Sequence, residues 1–128
     1  MFFFLYQLLV SLILLFSPII ILFRILKKKE HKLRFIEKFS FPTKKRKQGK
    51  LIWFHGASVG EILSVLPLIK NYEKNNKINQ ILLTSSTLSS LKVFKKFKFK
   101  KTIHQFYPID HFLFTKKFLK FWKPDIAI

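Results

Sequence analysis

"LIWFHGASVGEILSVLPLIK", Leu51 to Lys70, is the stretch whose reading decides the fold. Leu51–His55 is a short apolar run of the kind that becomes a strand buried on both faces. Gly56 ends it. From Ser58 to Lys74, apolar residues recur at Val59, Ile62, Leu63, Leu66, Ile69 and Tyr72, the spacing of a helix with one buried face. Pro67 falls inside that helix and should remove a hydrogen bond or introduce a bend. A strand, a glycine-flanked turn and a helix in immediate succession open a parallel α/β sheet.

Downstream the same alternation continues. "QILLTSS" reads as a second strand, and "TLSSLKVFKKF" as a helix with Leu88, Leu91 and Phe94 on one face. "TIHQFYP", Thr102 to Pro108, reads as a third strand, and "DHFLFTKKFLKFW", Asp110 to Trp122, as a third helix capped by Asp110. "DIAI", Asp125 to Ile128, begins a fourth strand. The expected fold class is therefore α/β, half of a doubly wound parallel sheet occupying residues 51–128. Because the alternation stops in mid-strand with no helix to follow, the chain is expected to be the front part of a longer protein.

Upstream, "FPTKKRKQGK", Phe41 to Lys50, combines Pro, Gly and clustered charge and reads as a linker, so residues 27–50 are assigned to a basic juxtamembrane segment and linker. No residue from Phe2 to Phe23 is formally charged, and the run has roughly the 20-residue length that crosses a bilayer core as a helix. It lacks both the leading basic residues and the small-residue cleavage site of a secretory signal, so residues 1–26 are expected to form an uncleaved membrane-anchor helix. Pro18 allows a kink, and with it a segment that enters the bilayer and lies shallowly. "RILKKKEHKLR", Arg24 to Arg34, follows directly, and by the positive-inside tendency it keeps the rest of the chain on the cytoplasmic face of the inner membrane.

The chain has 25 Lys+Arg against 6 Asp+Glu, a formal charge of +19. The excess is nearly all Lys and accompanies over-used Phe and Ile, which is the mark of a compositional drift more than of a polyanion site. Stacking aromatics on a basic face would signal nucleic acid, but the Phe residues follow buried periodicities, so no nucleic-acid partner is expected. With Cys 0 there is neither a disulfide framework nor a thiolate metal site. His104 and His111 lie near strand-helix junctions without metal-ligand spacing, and neither a metal nor a cofactor is expected.

In doubly wound folds ligands gather where strands end and helices begin, and "HGASVGE", His55 to Glu61, is the first such junction. Gly56 and Gly60 permit close backbone approach, and free amides at the helix start attract anions. The glycines do not form a dinucleotide fingerprint. Two readings of Glu61 stand side by side. Ser58 and Glu61 have the spacing of a capping box. A carboxylate at a cleft edge can also serve as a general base for an attacking hydroxyl. Ser58 lacks the histidine and acid pattern of a nucleophile.

These residues resemble a known family. "LIWFHGASVGEILSVLPLIK" is similar to the first strand, turn and helix of the bacterial Kdo transferases, which attach 3-deoxy-D-manno-octulosonic acid (Kdo) to lipid A. Their H-x-x-S-x-G-E turn follows a membrane-anchoring helix, and His55, Ser58, Gly60 and Glu61 match it in order. "HKLRFIEKFSF", "LLTSSTLSS", "FYPID" and "KPDIAI" agree with later family segments in the same order. The resemblance implies a two-domain glycosyltransferase of the GT-B type. Its N-terminal domain binds the lipid A precursor, and its C-terminal domain, absent from this sequence, binds the donor CMP-Kdo. It further implies that Glu61 is the general base and that His55, Ser58, Gly60, Thr84 and Thr87 shape the acceptor site. Two departures stand out. "TSSTLSS" lacks the glycine that usually follows the family's Thr-rich run, and without a donor domain the chain alone is expected to be inactive. The alternative is a non-catalytic, membrane-anchored module that binds anionic lipid or a partner protein.

Overall fold

Three short, largely apolar runs become strands because each can bury both faces, and a fourth, of two exposed residues, adds to their edge. The computed structural model describes residues 1–128. Strands β1 (Leu51–His55), β2 (Gln80–Ser85), β3 (Thr102–Phe106) and β4 (Ile126–Ala127) form one sheet, ordered β3-β2-β1-β4, with every neighbouring pair parallel. Parallel neighbours need crossovers. These are the helices α3 (Val59–Glu73), α4 (Leu88–Phe94) and α5 (Phe112–Trp122); ahead of them come α1 (Phe2–Leu15), α2 (Ser17–Leu26) and a 3-10 helix (Arg34–Phe39).

Alternation along β1 divides the core. Ile52 and Phe54 pack with Ile62, Ile69, Ile81 and Leu83 on the α3 side, while Leu51 packs with Leu82, Phe118 and Trp122 on the α5 side. The strand order reverses beside β1: β2 and β3 extend one way, and β4 lies on the other side. Such a reversal opens a crevice at the carboxyl ends of the strands. Pro67 is accommodated without ending α3, because it lies on the exposed face, where water can take the carbonyl it leaves unpaired.

Two expectations need correction. The N-terminal segment is two helices, α1 and α2, bent by 57° at their junction, and no single helix is long and apolar enough to cross a membrane. The break falls where Pro18, at the start of α2, has no amide to continue the α1 ladder. Secondly, α5 is capped by His111, whose ring accepts from the Leu113 amide at 3.3 Å, while the Asp110 carboxylate accepts from the Tyr6 hydroxyl at 2.7 Å. Residues 27–50, read as a basic segment and linker, are tied to the sheet and to α5. Gln80 holds the Lys45 carbonyl and the Lys47 amide, each at 2.9 Å, and Arg46 donates to the Trp122 carbonyl at 2.6 Å.

The strongest of these ties is buried. Glu37, fully shielded from solvent, accepts both prongs of Arg34 at 3.0 Å, the Phe106 amide at 2.8 Å and the Thr43 hydroxyl. Arg34 also donates to the His104 carbonyl. His104 lies beneath it, with Nε2 2.6 Å from the Ser85 hydroxyl. Burial, reinforced by the charges of Arg34, Lys44 and Lys95, pushes the His104 imidazole down from 6.5 to about 3. Below about pH 6.5 the unfolded chain therefore takes up a proton that the folded chain refuses, so stability should fall as pH drops from there toward 3. Each pH unit crossed in that window removes about 1.4 kcal/mol, and the full effect is several kcal/mol. Denaturant midpoints between pH 7 and 4 should decline for the native chain and decline less for His104→Asn.

Candidate functional site

β1 delivers His55 to the carboxyl edge of the sheet, and the chain turns through Gly56 and Ala57 into α3. Gly56 is needed for its lack of a side chain. A Cβ there would stand 2.8 Å from Ile62 Cδ1 and 3.0 Å from the Ile62 amide nitrogen, so α3 begins in contact with the turn. We expect Gly56→Ala to displace the start of α3 and cost about 1–3 kcal/mol, read as a lowered urea midpoint. Gly60 differs. Its surroundings are open, the nearest contact to an added Cβ being Ser58 Oγ at 4.0 Å, which leaves room for a ligand.

Ser58 caps α3 by accepting from the Glu61 amide at 3.3 Å. Glu61 answers with both carboxylate oxygens. Oε2 accepts from the Ala57 amide at 3.0 Å, and Oε1 from the Ser58 hydroxyl at 3.3 Å. The capping box thus forms, but its return bond reaches Ala57, one residue before the cap. Ser58, Gly60 and Glu61 are all exposed, so the turn is an open rim and not a closed cavity. A carboxylate here benefits from the amide dipoles at the start of α3.

Behind the rim lies an aromatic and hydroxyl cluster. Thr84 Oγ1 accepts from Trp53 Nε1 at 2.9 Å and lies 2.9 Å from His55 Nδ1. Thr84 is fully buried, beneath the turn, where its hydroxyl fixes the His55 ring. Tyr107 covers the other side of that ring at 4.4 Å between centroids and stacks on Trp53 at 6.2 Å. Burial lowers the His55 pKa, partly offset by the Glu61 charge, so the ring is neutral at physiological pH. Thr87 is exposed at the start of α4, where it accepts from the Ser90 amide at 3.2 Å. Sequence reasoning placed neither Trp53 nor Tyr107 in the site. The available signal was one aromatic residue inside β1 and one directly after β3, and it is indistinguishable by pattern from core packing.

A parallel sheet covered on both faces, with a capped carboxylate on its carboxyl edge beside the strand-order reversal, defines an α/β domain of the kind in which ligands gather at the strand ends. Residues 33–128 match the family model of 3-deoxy-D-manno-octulosonic-acid transferase (kdotransferase). The chain belongs to that family. It is 40% identical over 124 residues to the 3-deoxy-D-manno-octulosonic acid transferase of Rickettsia bellii, covering 97% of this chain and 30% of the relative. It is 47% identical over 78 residues to that of Rickettsia felis, covering 61% and 17% respectively. A probable mitochondrial 3-deoxy-D-manno-octulosonic acid transferase of Arabidopsis thaliana is 37% identical over 115 residues, covering 88% and 26%. The chain therefore spans less than a third of each of these relatives. No solved structure matches it.

Proposed function

We propose that this chain is the acceptor-binding part of a Kdo transferase of the GT-B type, acting in lipopolysaccharide synthesis at the cytoplasmic face of the inner membrane. The acceptor is a lipid A precursor. The donor is CMP-Kdo, held by a C-terminal domain that this sequence does not contain, and transfer requires that domain. The observation that carries this reading is the position of Glu61: an exposed carboxylate on the carboxyl edge of the sheet, beside the strand-order reversal, in a turn that matches the family motif.

In the reaction, the acceptor hydroxyl attacks the anomeric carbon of Kdo, its proton passes to Glu61, and the bond to the CMP phosphate breaks, with CMP leaving. The longer of the two carboxylate contacts, Ser58 to Oε1 at 3.3 Å, is the one an incoming hydroxyl replaces, while the Ala57 amide at 3.0 Å keeps Oε2 in place. Gly60 gives the sugar backbone clearance. His55, steadied by Thr84 and Tyr107, offers a neutral ring to a sugar hydroxyl, and Thr87 lines the neighbouring junction.

Binding is tested by sedimenting the chain with vesicles that contain lipid A precursor and with otherwise identical vesicles that lack it. The expected result is a preference for the precursor that Gly60→Val removes. Equal binding to both vesicles by the native chain would contradict the acceptor assignment.

A further inference from the structure

The two N-terminal helices present one stripe to the rest of the molecule. Gln7, Val10, Leu14, Ser17, Ile21, Arg24 and Ile25 are the half-buried or buried positions of α1 and α2, and they recur every three or four residues. The polar residues Tyr6, Gln7, Ser11 and Ser17 lie on or beside that stripe, which is where a helix lying on a protein would carry them. Two bonds fasten it. Tyr6 donates to Asp110 at 2.7 Å, and the Ser11 hydroxyl lies 3.1 Å from His111 Nε2, so α1 is tied to the turn between β3 and α5.

The opposite side is apolar and uncovered. Phe4 is 74% exposed, Leu15 73%, Ile19 70% and Leu26 73%. Phe112 and Leu113, at 57% and 62%, continue this surface next to the residues that hold α1. Cations accompany it: Lys27, Lys28, Lys29 and Lys32 follow α2 in the chain, and on α5 Lys116 lies over Phe112 and Lys117 over Phe41. Lys27 folds its ammonium over Phe23 at 4.3 Å, so a cation lies directly against the apolar surface. Of the nearby acids, Glu30 is paired with Arg24 and Lys38, which leaves Asp110, bonded to the neutral Tyr6 hydroxyl, as one negative charge beside these six lysines. The 14 residues of α1 alone rise about 21 Å, short of the roughly 30 Å of a bilayer core, and α2 continues only after a 57° bend, so a broken span is the competing geometry.

We infer that α1 and α2 lie flat in the membrane-water interface as a monotopic dock, apolar side down, and that its occupant is an anionic bilayer surface. The inference rests on the membrane reading given under the proposed function and specifies its geometry. Apolar area and cationic rim act together, as in interfacial amphipathic helices. A consequence follows for the site. The turn between β3 and α5 lies on the same carboxyl edge as Glu61, so docking through it holds that edge close to the headgroups, where a lipid-borne hydroxyl resides.

The native chain has no cysteine, which permits single-cysteine labelling at Phe4, Leu8, Leu15 and Leu22, with Gln7→Cys as the inward-facing control. The full chain is bound to phosphatidylglycerol-containing vesicles, and label depth is read by quenching from lipids carrying quenchers at graded positions. The expected profile is flat: the four outward labels share one shallow depth, and the Gln7 label is hardly quenched. A profile that deepens toward the bilayer centre and rises again along the segment, with intact binding, overturns the flat dock and leaves the membrane reading standing. Binding should be at least about tenfold weaker to purely phosphatidylcholine vesicles. Equal binding to both overturns the anionic partner, and failure to bind either overturns the dock and the membrane reading together.

Discussion

Replacing Glu61 by Gln should lower Kdo transfer by about 10²–10⁴-fold, in a protein completed with the donor-side portion of a relative, while leaving the fold intact. The substitution separates the two roles of this side chain. A glutamine oxygen can still accept from the Ala57 amide, as Oε2 does at 3.0 Å, so the cap on α3 survives. What is lost is the capacity to take a proton. Glu61→Ala removes both, and should add only about 1 kcal/mol of destabilisation to the same loss of transfer. Steady-state rates and urea midpoints for the two variants make the comparison. Full transfer by the Gln variant would assign Glu61 to capping alone.

The largest effect on stability is expected elsewhere, at Glu37. Glu37→Ala should cost about 3–5 kcal/mol, because it leaves the Arg34 guanidinium without its counter-charge in a buried setting and strips the Phe106 amide of its acceptor. A surface ion pair would be worth under about 1 kcal/mol, so the magnitude discriminates between the two cases. Arg34→Met paired with Glu37→Ala should recover part of the loss, since the isolated charge is then gone, and a double-mutant cycle by urea unfolding measures the coupling. A loss below about 1 kcal/mol for Glu37→Ala would mean that the 3-10 helix is not held to β3 by this pair.

Glu37 also marks the boundary of what the sequence reveals. The strand-turn-helix unit from Leu51 is legible because its periods change from continuous apolar to helical at a glycine, and local sterics require that glycine. Sheet order is not legible, because β4 is two residues long and pairs with β1 through Ile52–Ile126 and Trp53–Ala127 only. Arg34 and Glu37 sit in a basic, proline-bounded stretch that looks like solvated linker. Their burial depends on contact with β3, about seventy residues away in the chain. The cap on α5 went astray by one position for a similar reason: Asp110 is drawn to Tyr6 of α1, a partner that no local pattern indicates.

The scarcity of acids was the better signal. Each of the 6 Asp+Glu is engaged as an acceptor. Glu30 and Glu37 hold cations, Glu73 takes the amides of Lys100, Lys101 and Thr102, Asp110 takes Tyr6, and Asp125 takes the Leu51 amide at 2.8 Å. In a chain drifting toward Lys, a carboxylate stays where it has a bond to make. Glu61 shares this property through its cap, and it adds exposure at the strand-order reversal, which no structural duty requires.

The central claim is tested most directly by following Kdo transfer from CMP-Kdo to lipid A precursor in membranes. The membranes carry this chain alone or together with the remaining portion of the Rickettsia bellii relative, in each case as the native sequence or with the substitution Glu61→Gln. The account predicts transfer only in the combined membranes and only with Glu61 present. Transfer by the chain alone, or equal transfer by the Glu61→Gln variant in the combined membranes, would contradict it.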